Sequence, residues 1–222
     1  MTSTLDELPA TRDALHQVAE HVLAAAQFAQ SGDVRLAHVP GGFTTYSELR
    51  GQRRVMVIDD ELVVLDAIGR RVTPLTTVGT AAAFLGITAG LPPSAYPPAT
   101  PLRPDARLPI DPAGAKLLAR WYALADAALR TFATEVGAGP MRPTLWPEHF
   151  DLGITIDGVN YGASPGDQHV EQPYLYVGPH GGPPSKDDFW NAEFGAVLTI
   201  AEVGSRDDAL AFFRRSRSRV AT

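Results

Sequence analysis

The residues able to do chemistry gather between Leu145 and Pro179, which reads LWPEHFDLGITIDGVNYGASPGDQHVEQPYLYVGP. His149 and His169 fall inside it, His180 comes directly after it, and Glu148, Asp151, Asp167 and Glu171 stand close to them. Imidazole beside carboxylate is the pairing that general acid–base catalysis uses. The same groups suit zinc, manganese or iron(II) without any thiolate. One stretch, Gly162-Ala163-Ser164-Pro165-Gly166, also matches the G-x-S-x-G pattern of a serine-hydrolase elbow, with His149 and Asp151 as its natural partners. Two features oppose a hydrolase. The residue after the serine must give a backbone N–H to the oxyanion, and Pro165 has none. The elbow must also open a helix, whereas Gly166-Asp167 leads toward another extended segment.

These side chains need something to hold them. Asp157-Gly158 between alternating residues is a two-residue hairpin turn. Pairing outward sets Ile156 opposite Val159, Ile154 opposite Tyr161 and Leu152 opposite Ala163, with Phe150 continuing the same apolar face. The other face then carries Thr155 opposite Asn160, Gly153 opposite Gly162, and Asp151 opposite Ser164, with His149 next. Two facing glycines leave bare backbone there, to which a ligand or another chain segment can come close. Tyr174 and Tyr176 alternate with Leu175 and Val177, which predicts a third strand beside the hairpin. His149, Asp151, Thr155, Asn160, Ser164, Asp167, His169, Tyr174 and Tyr176 are the expected ligand-binding set. Alternatively, His149 or His169 works with Asp151 or Asp167 as an acid–base pair, with or without a metal ion joined by Glu171. Phe189-Trp190 reads as a hydrophobic anchor that returns the chain to the core; a third alternative is a partner-binding surface built on Phe189, Trp190 and the proline-rich segment 88–109.

The rest of the chain supplies the scaffold. Leu15, Val18, Ala19, Val22, Leu23 and Ala26 recur at helical spacing, so a helix is expected over about residues 11–30, capped by Thr11 and ended by Gly32. His16 with Glu20 and Gln17 with His21 lie off that stripe and read as weak pairs on a solvated face. Short runs come next at Val34–Val39, Phe43–Leu49, Arg54–Ile58, Leu62–Asp66 and Arg71–Leu75, with Asp59-Asp60-Glu61 as a hairpin loop and turns at Gly41-Gly42 and Gly51. Gly41-Gly42 lacks the lysine and helix of a phosphate loop. Thr76 or Thr77 caps a helix through Ala81–Leu85 that stops at Gly86.

Seven prolines between residues 88 and 109 exclude helix and central strand, so this is a strap or linker between an N-terminal helix-and-meander half and a C-terminal helix-and-hairpin half. Asp111-Pro112 starts a helix striped by Leu117, Leu118, Trp121, Leu124, Ala125, Ala128, Leu129 and Phe132. Phe194 and Val197–Ile200 predict a last strand, and Ser205 with Asp208 a capped last helix. Arg214, Arg215, Arg217 and Arg219 crowd its end, as a solvated, fraying terminus or else an anion site.

Composition narrows the function classes. The 222 residues contain no cysteine, which removes disulfides, thiolate metal sites and cysteine nucleophiles, and fits a cytoplasmic, reducing location. A net charge of −6 argues against a general nucleic-acid binder. The polar, acidic N-terminus reads as no secretory signal, and the apolar runs are too short for a membrane helix. The expected fold class is α+β, a single domain in which an antiparallel sheet or half-barrel carries helices on one face.

Several blocks resemble a family of bacterial proteins of no assigned activity from GC-rich actinobacteria. They are Leu15-His16 with Ala19 to Leu23, Gly41-Gly42-Phe43, Leu145 to Leu152, Val159 to Asp167, Tyr174 to Pro179, and Phe189-Trp190-Asn191. The segment His149-Phe150-Asp151-Leu152 is also similar to a second family of unknown function. The resemblance implies one folding unit with the GASPGD block as its signature; no cofactor or reaction comes with it.

Overall fold

The computed structural model describes residues 8–46 and 53–220. The turn expected at Gly51 and the end of the strand expected over Phe43–Leu49 lie outside the described residues. The fold is α+β, with ten antiparallel strands in a sheet that is not closed into a barrel and four helices among the described residues. Contacts divide the chain into two compact units, residues 1–120 with 145–150, and residues 121–144 with 151–222.

In the first unit, helix α1 begins as Leu8–Val18, passes through a π-helical turn at Ala19–Ala24 and continues as Ala25–Ser31. It ends as expected, on Gly32 in the left-handed region (φ 72°). Thr11 is not its cap. It is buried inside the helix, where its Oγ1 accepts from Asp111 N (2.9 Å). An antiparallel meander comes next: β1 (Leu36–Val39), β2 (Gly42–Thr45), β3 (Arg54–Ile58), β4 (Glu61–Asp66) and β5 (Gly69–Pro74). Asp59-Asp60 turns β3 into β4, with Ile58 opposite Glu61. The core of this unit gathers Leu15, Val18, Val22 and Leu23 of α1 with Leu36, Phe43, Val55 and Val57 of the strands, all of them buried, and the π turn of α1 packs on β1 and β2.

Thr77 caps α2 (Val78–Leu85) in a reciprocal box with Thr80, and Gly86 closes it at φ 69°. Residues 88–109 form no helix or named strand, as the prolines dictate. Asp111 Oδ2 accepts from Gly114 N (2.8 Å), capping α3 (Pro112–Glu135). A three-residue strand that the sequence does not announce, β6 (Thr144–Trp146), pairs Leu145 with Leu36.

The second unit is built on the hairpin. The strands β7 (Asp151–Ile156) and β8 (Val159–Ser164) pair as expected, Ile156 with Val159, Ile154 with Tyr161 and Leu152 with Ala163. All six are buried. Asp157 takes φ 51° and Gly158 φ 75°, the two left-handed positions a tight turn of this kind requires. Next come β9 (Tyr174–Pro179) and β10 (Ala196–Thr199), each antiparallel to the strand before it. The rings of Phe132, Tyr161 and Phe213 meet at 4.7–6.1 Å to make the core against α4 (Arg206–Val220). Trp190 is buried, as its role of anchor predicts, while Phe189 is half-buried.

The arginines of α4 neither fray into solvent nor wait for an anion. Arg214 holds Glu135 (2.8 Å), Arg217 holds Asp157 (2.7 Å) and Arg219 holds Asp187 (2.9 Å). Arg215 and Arg219 lie 4.8 and 4.7 Å from the Phe189 ring centre. The helix is stapled to the hairpin tip and to the loop before β10.

Candidate functional site

On the hairpin's polar face the side chains expected to meet a ligand meet each other. The register puts Gly162 opposite Tyr176 and Ser164 opposite Tyr174. The Tyr176 ring lies over the bare backbone of the two glycines: a Cβ on Gly162 would stand 2.4 Å from its Cζ, and one on Gly153 2.9 Å from its hydroxyl. The close approach predicted from the glycines is real, and the protein's own tyrosine makes it. Tyr176 donates its hydroxyl to Asp151 Oδ2, and Tyr174 donates to Asp167 Oδ2 (2.6 Å). Burial first, and then the Asp151 charge, push the Tyr176 phenol well above its usual range. Burial and Asp167 do the same for Tyr174. Burial also works to raise Asp167, yet donors from Tyr174, Val170 N–H and His169 N–H outweigh it and hold that carboxyl below the ordinary value. In each pair the phenol donates and one carboxylate oxygen accepts.

The remaining predicted residues scatter. Thr155 Oγ1 donates to Asn160 Oδ1 (2.7 Å), which His180 Nε2 also approaches (3.1 Å), on an exposed patch. Ser164 is buried; its Oγ accepts from Gly166 N (3.1 Å) and its carbonyl from Trp121 Nε1 (2.8 Å). With Pro165 next and an irregular loop after it, no nucleophile elbow is built. His169 and Glu171 are exposed on that loop. His149 belongs to the first unit, in a turn where its N–H reaches Trp146 O (3.3 Å). Among the described residues, no three histidines, aspartates or glutamates are grouped to hold a metal ion.

A different set comes together in the first unit, and the helical wheel misplaces it. Glu20 and His21, expected on a solvated face, are both 0% exposed. They occupy the π turn of α1, a local irregularity that recurs at functional positions because it re-aims side chains and displaces the hydrogen-bond ladder. The proline strap covers them. Glu20 Oε1 accepts from Ala99 N (2.8 Å), while Oε2 accepts from Thr100 N (2.8 Å) and Thr100 Oγ1 (2.6 Å). His21 Nε2 donates to Thr100 O (2.9 Å), and the His21 carbonyl accepts from Gly90 N (2.8 Å).

Around this latch stand four more titratable groups. Burial, and after it the charges of Glu20 and Glu148, push the hydroxyl of Tyr96, on the strap, far above the phenol range. His16 stacks on Phe150 (5.4 Å between centres, planes 11° apart) and donates Nε2–H to Pro147 O (2.8 Å). Burial lowers its pKa, against the raising influence of Glu20, that hydrogen bond and Asp13, while His149 adds to the lowering. Phe150, at φ 52°, takes an unusual backbone conformation that non-glycine residues adopt mainly under local constraint. Three buried polar atoms here have no hydrogen-bond partner: Glu148 Oε2, His21 Nδ1 and the Tyr96 hydroxyl. With Nε2–H given to a carbonyl, Nδ1 of a neutral His21 is an acceptor, as is the carboxylate oxygen.

Of this cluster the sequence pointed only to Glu148 and His149. A signal for the rest was present: between Val18 and Ala26 only Glu20 and His21 are polar. A helix apolar all round is a buried helix, so polar residues inside such a run are buried with it.

No family model, curated protein or solved structure matches the chain. No helix among the described residues is long and apolar enough to cross a membrane.

Proposed function

We propose that this protein binds a small polar molecule, recognised in the first unit by Glu148, Tyr96 and their neighbours on α1. The observation that carries the proposal is Glu148 Oε2, a buried carboxylate oxygen with no partner, whose charge bears on the Tyr96 phenol, its hydroxyl likewise buried and unpartnered. Buried polar atoms are nearly always hydrogen-bonded, and leaving one unpaired costs about 1–3 kcal/mol, more for a charged group. A ligand that supplies the missing hydrogen bond recovers that cost, which gives the site its affinity. The hairpin face fits the role less well, since the Tyr176 ring already lies over its glycines and the hydroxyls of Tyr174 and Tyr176 already reach its carboxylates.

Acid–base chemistry is a second reading, favoured by one fact. Burial keeps His16 in its neutral form near pH 7, close to Glu20 and His149, so it is able to accept a proton there.

The test is a thermal-shift screen of small polar compounds against the wild type, E148Q and Y96F. A compound present at about 100 times its Kd stabilises the native state by about 2.7 kcal/mol, which raises Tm by roughly 5–10 °C for a chain of this size. Hits are expected on the wild type and lost or weakened in both variants. A screen without hits, or hits indifferent to both substitutions, overturns the proposal.

A further inference from the structure

We propose that the molecule taken at this site is a small organic cation, an amine held as its ammonium form by Glu148 and flanked by Tyr96. This rests on the binding role just given and adds the class of ligand. The first argument is charge. Glu20 and Glu148 both act on Tyr96, yet no arginine or lysine is ion-paired with either one among the described residues. The three donors on Glu20 are neutral, two backbone N–H groups and one hydroxyl, so they solvate its charge without cancelling it. The nearest basic nitrogen is His21 Nε2, at 3.8 Å from Oε2. His16, the other imidazole on this side of α1, is disfavoured as a cation by its burial.

The second argument is the sense of the unfilled hydrogen bonds. Glu148 Oε2 only accepts when ionised, and in a neutral His21 whose Nε2–H is given to Thr100 O, Nδ1 accepts. His21 is wholly buried, on the residue next to Glu20 in the same π turn. What is missing on these two atoms is therefore a donor, while the Tyr96 hydroxyl, unpartnered as well, is able to give or to take a hydrogen bond. An ammonium group brings up to three donors and the opposite charge together. A carboxylate or phosphate would bring neither, and would sit against two like charges in a medium of low polarity. A polyol would supply donors and leave the charge uncancelled.

The test compares three size-matched probe sets on the full chain at neutral pH: amino alcohols such as ethanolamine, glycols such as ethylene glycol, and hydroxy acids such as glycolate. Binding is monitored by NMR through the side-chain signals of His16 and His21. Amines are expected to bind at least about tenfold tighter than the matching glycols, and hydroxy acids weakest. Glu148→Gln should abolish that preference and bring amines down to the glycols. Tyr96→Phe, which keeps the carboxylate charge, should weaken binding while preserving the preference; it also stands in should E148Q fail to fold. If glycols or hydroxy acids match the amines, or E148Q leaves amine affinity unchanged, the cation assignment falls while the site stands. If no member of any set moves the histidine signals, the binding role falls with it.

Discussion

Removing the Glu20 carboxylate is the sharpest test of how α1 and the strap are joined. Three donors converge on it, from Ala99 N, Thr100 N and Thr100 Oγ1, at 2.6–2.8 Å. A hydrogen bond to a charged group contributes about 1.5–3 kcal/mol, and three in sum would overstate the loss. Ala99 is exposed, so its N–H regains water once the carboxylate is gone, whereas Thr100 is only half-exposed and regains less. The expected cost of Glu20→Ala is therefore about 3 kcal/mol, in the range measured when one partner of a buried charged contact is deleted. Glu20→Gln keeps the shape but turns an amide NH₂ toward a backbone donor, for about 2 kcal/mol, and Thr100→Val removes one of the three bonds, for about 1 kcal/mol. Urea denaturation with unchanged m-values gives the stabilities. Hydrogen exchange at the amides of residues 99 and 100 reports the latch directly, and both should lose protection in E20A before the strands of the meander do. A cost under about 1 kcal/mol for E20A, or unchanged protection at those two amides, would refute the picture of a strap held by a buried carboxylate.

Two further outcomes rest on the same structure. Gly162→Ala should destabilise by about 2–3 kcal/mol, because the new methyl would meet Tyr176 Cζ at 2.4 Å and the Leu152 carbonyl at 2.6 Å, whereas Gly181→Ala meets nothing within 4 Å and should be neutral; equal melting temperatures for the two would sink the claim that Tyr176 covers the glycines. His16 has its folded pKa below the ordinary 6.5, so between the two values the unfolded chain binds more protons. Its contribution is intact above about 6.5 and is lost as pH falls from there toward the lowered folded value, so H16Q should flatten the drop in unfolding free energy between pH 7.5 and 5, and an identical slope would count against it.

The hairpin shows what was legible and why. Alternation is a local property with period two, so Asp157-Gly158 and the residues around it specify both the turn and the pairing of Ile156 with Val159 without outside help. The polar face was legible as to which residues share it, but not as to what covers it. Whether Tyr176 folds down on Gly162 depends on the strand after the loop, and nothing near Gly162 records that. The N-terminal helix failed in the opposite way. A wheel sorts residues by angle and assumes that the polar side meets water, and here residues 90, 99 and 100, some 70 to 80 positions later, take the place of that water.

The sequence alone therefore determined the class of the fold, the β7–β8 register, the capped starts of α2, α3 and α4, and the irregular strap, because turn chemistry, capping and proline act within a few residues. Only the tertiary structure decided that Glu20 and His21 are buried, that Tyr174 and Tyr176 close over the hairpin carboxylates, and that Glu148 keeps an oxygen without a partner. Those facts turn on which distant segment replaces solvent around a polar group, and solvent exclusion is a property of the packed chain rather than of any stretch of it.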